Sequence, residues 1–444
     1  MTDTWFYSLI PATVIAILAI MARVLSRSWT HPATLFSSFW ALHALLVQLL
    51  IPELPVYPSG LWFIAVACLA VQAGAFITAP PSRARASYLA KARMRQDLQS
   101  KLLRSMIVSV AYLLPVGFIS AYFTLEAGHR SLDNLTSMKK LAIMATANTV
   151  FRYSAKYYSP NLIVQFFSSA IYLLPIFGGI IIALRRNRWH TLIAFGTFLP
   201  AIFVTATQTT KAAVLASLMF WIGSYLACTE YTGGRPSGRR VVSLALMIGI
   251  LLASVFGAAE SLRSGMAPTP DNILRSAGTG RARTTAFGHM FVFTQWFDDA
   301  FQEPPPPTYG SYTFAGPADL LGLSTKASGV YKEASQLQVF KTTSNIYTYF
   351  RGLIEDFTIV GALVFLFALG LVAGWAYHGS REFRIERMPW IMLYNAWVLW
   401  FVVSIFTYNS LILALVLFFG YWRLATRSRR VEPTRATETT PCPV

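Results

Sequence analysis

The residues of this chain that could do chemistry are cations and carboxylates at the ends of long apolar stretches. Lys211 follows a small polar turn, TATQTT (205–210), and Arg351 opens a later apolar stretch. Ionisable groups at membrane depth are costly and usually functional. Guanidinium groups bind phosphate oxygens in pairs and stabilise a pyrophosphate leaving group without a metal. We therefore expect a pyrophosphate site. Its candidate ligands are Lys211, Arg263, Arg275, Arg281, Arg283 and Arg351.

Transfer to a hydroxyl group at such a site also needs a residue that takes a proton. The candidates are Asp298, Asp299, Asp356, His289, Glu260 and Glu355. The three aspartates are the preferred ones. For Asp298 and Asp299, which precede a run of four prolines, plain loop charge is the alternative.

The other candidates also have ordinary structural explanations. Arg351 and Glu355 are four residues apart, which is the spacing of an ion pair on one helix. Lys211 is placed to extend its amine to a membrane interface. The arginines of RSAGTGRAR (275–283) suit lipid headgroups. His289 lies in an aromatic stretch, where packing is commoner than catalysis.

Several motifs of soluble enzymes are missing from the sequence. It has no GxxxxGK[ST], no HExxH, no DxD and no GxSxG, and it has only six histidines. Its three cysteines form no CxxC pair. We therefore expect neither a metal nor a cofactor.

The composition is that of a membrane protein. Of 444 residues, 55% are hydrophobic and only 13% are charged, whereas a soluble domain has roughly 25% charged residues. These numbers exclude a water-soluble enzyme, a disordered protein and a disulfide scaffold. They leave an all-α polytopic membrane protein.

About eleven apolar stretches approach the 20 or so residues that cross a bilayer as a helix. They are roughly 5–24, 33–51, 60–79, 103–124, 160–184, 189–207, 211–228, 241–259, 353–377, 389–404 and 406–423. The predicted domains are transmembrane helices in 1–259, a loop in 260–352, further helices in 353–424 and a disordered cytoplasmic tail in 425–444.

The net charge of +18 has a simple explanation in this arrangement. Alternate loops place most Lys and Arg on one side of the membrane, and the positive-inside rule puts that side in the cytoplasm. The N-terminus is then outside and the C-terminus inside. Because the basic residues form no single patch, we expect membrane lipids as partners and no nucleic acid.

The segment 260–352 is predicted to be an ordered outer loop, which we call the lid. Its many aromatic residues, as in FGHMFVFTQWF (287–297), argue against disorder. Outside the cell there is no ATP and no pool of nucleotide sugars. A transferase on that side must use a lipid-linked, phosphate-activated donor.

Three stretches of the chain resemble the Wzy-type polymerases of O-antigen and related bacterial polysaccharides. They are FVTATQTTKAAVLASL (203–218), TYGSYTFAGPADLLGL (308–323) and SNIYTYFRGLIEDFTIVGALVFLFALG (344–370). The third resembles a family segment that opens a span. The matching positions in it are Asn345, Tyr347, Thr348, Asp356, Phe357 and Gly361. Where family members often carry Arg, this chain has Lys211.

The resemblance implies a metal-independent membrane glycosyltransferase of the GT-C-like class in the bacterial inner membrane. Such an enzyme joins undecaprenyl-pyrophosphate-linked oligosaccharide units at the periplasmic face, with inversion, and releases undecaprenyl pyrophosphate. A chain-length regulator and a flippase are the implied partners. In the family-like segment the expected substrate contacts are Asn345, Tyr347 and Tyr349.

Two other functions fit the sequence less well. An O-antigen ligase shares the architecture, but the second and third stretches favour a polymerase. A transporter or flippase for lipid-linked sugar predicts midplane charges and broken helices in paired halves, and the sequence shows few charges within spans and no such symmetry. A non-enzymatic scaffold is disfavoured by the cation-rich lid.

Overall fold

The computed structural model describes most of the chain. The described residues are 3–52, 56–78, 92–125, 133, 136–153, 162–232, 238–264, 266, 268–277, 280–323, 331, 333, 335–337, 342–381 and 384–427. The predicted tail, 425–444, lies almost entirely outside them.

The described chain is built almost wholly from α-helices. The helices are α1 (Asp3–Ser26), α2 (Pro32–Leu50), α3 (Pro58–Ile77), α4 (Ala92–Phe123), α5 (Met138–Tyr153), α6 (Leu162–Ala183), α7 (Arg188–Gly196), α8 (Leu199–Gln208), α9 (Lys211–Thr232), α10 (Gly238–Arg263), α11 (Pro270–Ala277), α12 (Gly280–Gln302), α13 (Ala315–Leu320), α14 (Tyr349–Arg381), α15 (Met388–Leu399) and α16 (Asn409–Arg427). The described strands are β1 (Ser335–Leu337) and β2 (Thr342–Ser344), an antiparallel pair with Gln336 opposite Thr343.

Nine helical stretches within the described residues are long and apolar enough to cross a membrane. They are Trp5–Ser26, Pro32–Leu50, Pro58–Ile77, Leu98–Phe123, Leu162–Ala183, Arg188–Gln208, Lys211–Thr232, Tyr349–Ser380 and Asn409–Thr426. Each lies on a predicted span, and α7 and α8 share one. The prediction of a polytopic, essentially α-helical membrane protein is confirmed.

The predicted span 389–404 differs from the structure. Its helix, α15, ends at Leu399 after 12 residues, which is about 18 Å of helix, whereas the hydrocarbon core is about 30 Å thick. The Phe401 carbonyl accepts a hydrogen bond from the Tyr349 backbone at 3.1 Å. This long-range hydrogen bond therefore satisfies one carbonyl group of the irregular backbone that follows α15.

A second interruption lies within α14, at Thr358. This residue has φ 63° and ψ 174°, so α14 is two helical segments joined by a kink. A β-branched residue at positive φ is a genuine conformational outlier. The kink follows directly after the Glu355–Asp356 pair.

The core forms where small residues let helices meet closely. A Cβ at Gly74 of α3 or at Gly370 of α14 would overlap the backbone of the partner helix. In membranes, where lipid is as apolar as the helix surface, such close packing is a main source of helix association. This contact holds the part of α14 after the Thr358 kink against α3.

The described part of the lid has regular secondary structure. It contains α11, α12, α13 and the β1–β2 hairpin. Helix α12 packs against α2, α3 and α14 through a buried aromatic face that includes Phe293 and Phe297. The lid is thus attached to the helical bundle at the start of α14.

Candidate functional site

Arg351, in the first turn of α14, is the most buried cation of the predicted set among those whose side chains are described. Its side chain is only 4% exposed. Its Nε donates to Glu355 Oε1 at 2.8 Å, and its Nη2 donates to Glu333 Oε2 at 2.7 Å. The ordinary structural explanation for Arg351 and Glu355 was an ion pair on one helix, and the structure contains that pair.

Aromatic rings surround the Arg351 guanidinium. Its Cζ lies 3.9 Å from the ring centroid of Tyr331, 4.1 Å from that of Tyr347 and 5.1 Å from that of Trp296. Cation–π attraction is worth about 2 kcal/mol where the cation is desolvated. Burial raises the pKa of Tyr331 well above its ordinary value, so this ring is a neutral phenol. We call Arg351, Glu333, Glu355, Tyr331, Tyr347 and Trp296 the Arg351 cluster.

Two polar atoms of the cluster are buried without a hydrogen-bond partner. They are Nη1 of Arg351 and Oε2 of Glu355. Leaving such groups unpaired costs about 1–3 kcal/mol each, and more for charged groups. In native proteins such atoms usually meet a water molecule, an ion or a ligand. A buried donor and a buried acceptor therefore remain available on one ion pair.

Asp356 has a different environment from its neighbour Glu355. One carboxylate oxygen accepts from Thr308 Oγ1 at 2.6 Å and from the Tyr312 backbone N–H at 3.1 Å. The other accepts from the Thr313 backbone N–H at 2.6 Å. Asp356 thus ties the lid segment 308–313 to the kink of α14, and this arrangement gives it an anchoring role.

Lys211 and Glu260 form a second ion pair. The Lys211 amine donates to Glu260 Oε2 at 3.1 Å, and both side chains are mostly buried. The pair joins the start of α9 to the end of α10, and the turn before it has Thr209 at φ 50°. Among the described residues, Lys211 and Arg351 do not contact each other.

The other predicted proton acceptors lie on α12 and are dispersed. Asp298 accepts from Ser59 Oγ at 2.7 Å, at the start of α3, and Asp299 is exposed. His289 is fully buried, with its ring 4.4 Å from that of Phe401. Burial, with the nearby charge of His43, lowers the pKa of His289 well below its ordinary value. The structure gives His289 a neutral, packed ring.

The predicted substrate contacts also lie in different environments in the structure. Tyr347 lies in the Arg351 cluster, and Asn345 is partly exposed beside it in sequence. Tyr349 lies in the interior of the bundle, where its hydroxyl accepts from Trp40 Nε1 at 3.2 Å and its ring packs on Trp397. This environment gives Tyr349 a packing role.

The remaining predicted arginines are either exposed or have side chains that lie outside the described residues. Arg263 and Arg275 are exposed at the ends of α10 and α11. Arg281 and Arg283 lie in the first turn of α12, and their side chains are outside the described residues.

Sequence reasoning missed three members of the Arg351 cluster as site residues. Tyr331 had been noted only as part of an aromatic lid, and Trp296 only within FGHMFVFTQWF. Glu333 precedes Arg351 by 18 residues, a separation that carries no periodic signal. The usable sequence signal was the four-residue spacing of Arg351 and Glu355, since i, i+4 neighbours share a helix face.

The arrangement offers ion pairs and aromatic faces. In the described part of the chain, no three His, Cys, Asp or Glu side chains come together to hold a metal ion. The available chemistry is hydrogen bonding, charge stabilisation and proton transfer by a carboxylate.

Comparison with known proteins does not assign the chain to a family. No protein-family model, no curated protein and no solved structure matches it. The resemblance drawn from short motifs therefore stays a prediction.

Proposed function

We propose that the chain is a polymerase of undecaprenyl-pyrophosphate-linked oligosaccharides in a bacterial inner membrane, acting at the periplasmic face. One observation carries the proposal. Two of the three family-like stretches, 308–323 and 344–370, are bound to each other through Asp356. These contacts join residues more than 40 positions apart in the sequence, and the meeting of the two stretches supports the proposal.

The proposal includes a GT-C-like helical bundle with the N-terminus outside and the C-terminus inside. The lid then covers the active face. The pyrophosphate is held by Lys211 together with Arg263, Arg275, Arg281 and Arg283. Arg351 is left out of this group because two carboxylates already neutralise it. A flippase and a chain-length regulator would supply the units and limit their number.

Deleting the gene and separating the cell's surface polysaccharide by electrophoresis tests the proposal. Loss of the ladder with retention of core carrying a single repeat unit supports a polymerase, because export and ligation still work. An unchanged ladder contradicts it. Disappearance of the single unit as well points instead to a ligase or a transporter.

A variant tests the proposed pyrophosphate site. Arg281→Ala should abolish chain extension while the protein stays at normal abundance in membranes. Arg188→Ala, an exposed arginine at the start of α7, is the matched control and should keep the full ladder. A full ladder from Arg281→Ala at normal abundance would remove Arg281 from the site.

A transporter of lipid-linked sugar is the second candidate function. Interrupted helices are typical of transporters, and the structure has two adjacent interruptions, one at Thr358 in α14 and one after Leu399. The same deletion distinguishes the two functions, since only loss of a transporter removes the single repeat unit.

A further inference from the structure

We propose that Arg351 and Glu355 bind the attacking sugar hydroxyl of the acceptor, and that Glu355 takes its proton. This inference rests on the polymerase function proposed above and adds the identity of the proton acceptor and the kind of group that the site holds. It gives Arg351 a sugar-binding role in place of a pyrophosphate-binding one.

The two unpartnered atoms of the ion pair match a hydroxyl group. Nη1 of Arg351 is a donor, and Oε2 of Glu355 is an acceptor. A hydroxyl group both accepts and donates hydrogen bonds, so its chemistry complements both atoms. A fully ionised pyrophosphate has acceptors only and would leave Oε2 facing another negative oxygen.

The charge of the cluster also favours a neutral ligand. Arg351 contacts Glu333 and Glu355 at 2.7 and 2.8 Å, so one positive charge faces two negative ones. Asp356 adds a further carboxylate next in the chain. Like charges at such separations disfavour an added anion. A sugar without charge meets no such repulsion.

Aromatic faces supply the rest of a sugar site. Tyr331 and Tyr347 lie against the guanidinium, and Tyr312 stacks on Tyr331 with ring centroids 5.1 Å apart. The guanidinium already covers Tyr331 and Tyr347, whereas Tyr312 is 40% exposed, and the apolar carbon–hydrogen face of a sugar ring stacks on such an exposed ring. Glu333, whose side chain is 74% exposed, forms the solvent side of the cluster. A ligand would therefore reach the cluster from the side of Glu333.

Glu355 is the carboxylate suited to the chemistry, and Asp356 is not. Both oxygens of Asp356 already accept hydrogen bonds from the lid, whereas Oε2 of Glu355 has none. In the step, a bond forms between the hydroxyl oxygen and the anomeric carbon of the donor. The anomeric carbon–oxygen bond breaks, its electron pair leaves with undecaprenyl pyrophosphate, and the hydroxyl proton moves to Glu355.

Complementation of the deletion strain tests the inference. Glu355→Gln keeps the shape of the side chain but removes its charge and basicity. It should reduce chain extension by about 100-fold or more, the usual range for a general base, and leave core with a single unit. Glu303→Gln, an exposed acid on the lid, is the matched control and should restore the ladder.

A charge-swapped double variant separates chemistry from simple ion pairing. Arg351→Glu with Glu355→Arg rebuilds the pair on the same helix face but moves the carboxylate, so the ladder should stay absent. Its return would show a purely structural pair and overturn the inference. So would a full ladder from Glu355→Gln at normal abundance.

If Glu355→Gln fails to accumulate, Glu355→Asp decides the question. It keeps the charge but withdraws the carboxylate by one methylene, so shorter chains are expected at normal abundance and unchanged chains contradict the inference. An unchanged ladder in the deletion strain itself is distinguishable from these outcomes, since it rejects the proposed function first.

Discussion

Glu355 and Asp356 are neighbouring carboxylates with different surroundings. Asp356 accepts three hydrogen bonds from the lid, and Glu355 pairs with Arg351 and keeps one buried oxygen without a partner. The carboxylates have similar intrinsic chemistry, so the donors around each one decide its role. At the residue scale the fold therefore distinguishes an anchoring carboxylate from one that keeps an unpaired oxygen.

Asp356→Asn should loosen the lid. The amide is neutral, and its NH₂ group would face backbone donors that now point at a carboxylate oxygen. Loss of charge-assisted hydrogen bonds predicts a cost of about 2–4 kcal/mol in the free energy of unfolding. Hydrogen–deuterium exchange of the purified protein in detergent should show faster exchange in 308–323.

The control for this prediction is Glu303→Gln, which removes an exposed charge close in sequence to the same segment. Its exchange should match that of the wild type. Equal exchange rates for 308–323 in Asp356→Asn and the wild type would contradict the anchoring role.

At the scale of elements, the interruptions near the site are the most informative features. The α14 kink at Thr358 follows the two carboxylates, and the irregular backbone after α15 bonds to the start of α14. Non-helical backbone at membrane depth is tolerated where protein or a cavity surrounds it. Both irregular segments lie close to the region where the lid joins α14, which also contains the Arg351 cluster.

Thr358→Gly should stabilise the protein. At φ 63° and ψ 174° the backbone is in a region that suits glycine, and a non-glycine residue there costs about 1–3 kcal/mol. The Thr358 side chain is exposed, so its removal loses little packing. Glycine also gains more entropy on unfolding, which offsets part of this relief. We therefore expect a net increase of about 1 kcal/mol in the free energy of unfolding, measured as a higher midpoint of thermal unfolding in detergent.

Thr358→Ala is the matched control, because it removes the same side chain and keeps the strained φ. It should leave the midpoint unchanged or lower it. If glycine and alanine behave alike, the kink carries no strain at this residue.

The sequence predicted the helices better than their interruptions, for a physical reason. An apolar stretch such as 60–79 becomes a helix because length and composition alone favour one in a membrane, and α3 fills nearly the same range. Nothing in 389–404 shows that the chain leaves the helix after Leu399, because that backbone bonds to Tyr349, about 50 residues away. The Glu333–Arg351 contact is likewise tertiary, so the sequence predicted Arg351 and Glu355 as candidates but not Glu333.

For the whole molecule, composition and charge distribution are the sequence features that predict the most. The apolar composition predicts a membrane protein without any knowledge of contacts, and nine apolar helices in the described chain confirm that class. The distribution of Lys and Arg among alternate loops further predicts that the lid is periplasmic and the tail cytoplasmic. Every step of the proposed reaction depends on this orientation, since lipid-linked units are polymerised outside.

Labelling with a membrane-impermeant maleimide tests the orientation. Cys68 and Cys228 are buried, and Cys442 lies in the predicted cytoplasmic tail. The wild type should therefore resist labelling in intact cells and react, through Cys442, only after the inner membrane is broken. Tyr309→Cys places a thiol at a lid residue that is 86% exposed, and it should react in intact cells.

The reverse pattern would place the lid in the cytoplasm. In that case the wild type would be labelled in intact cells, Cys442→Ser would abolish the signal, and Tyr309→Cys would add none. The Arg351 cluster would then face the compartment that holds nucleotide sugars and ATP, and the argument for a lipid-linked donor would no longer apply. The orientation thus decides between the proposed polymerase and a different chemistry at the same cluster.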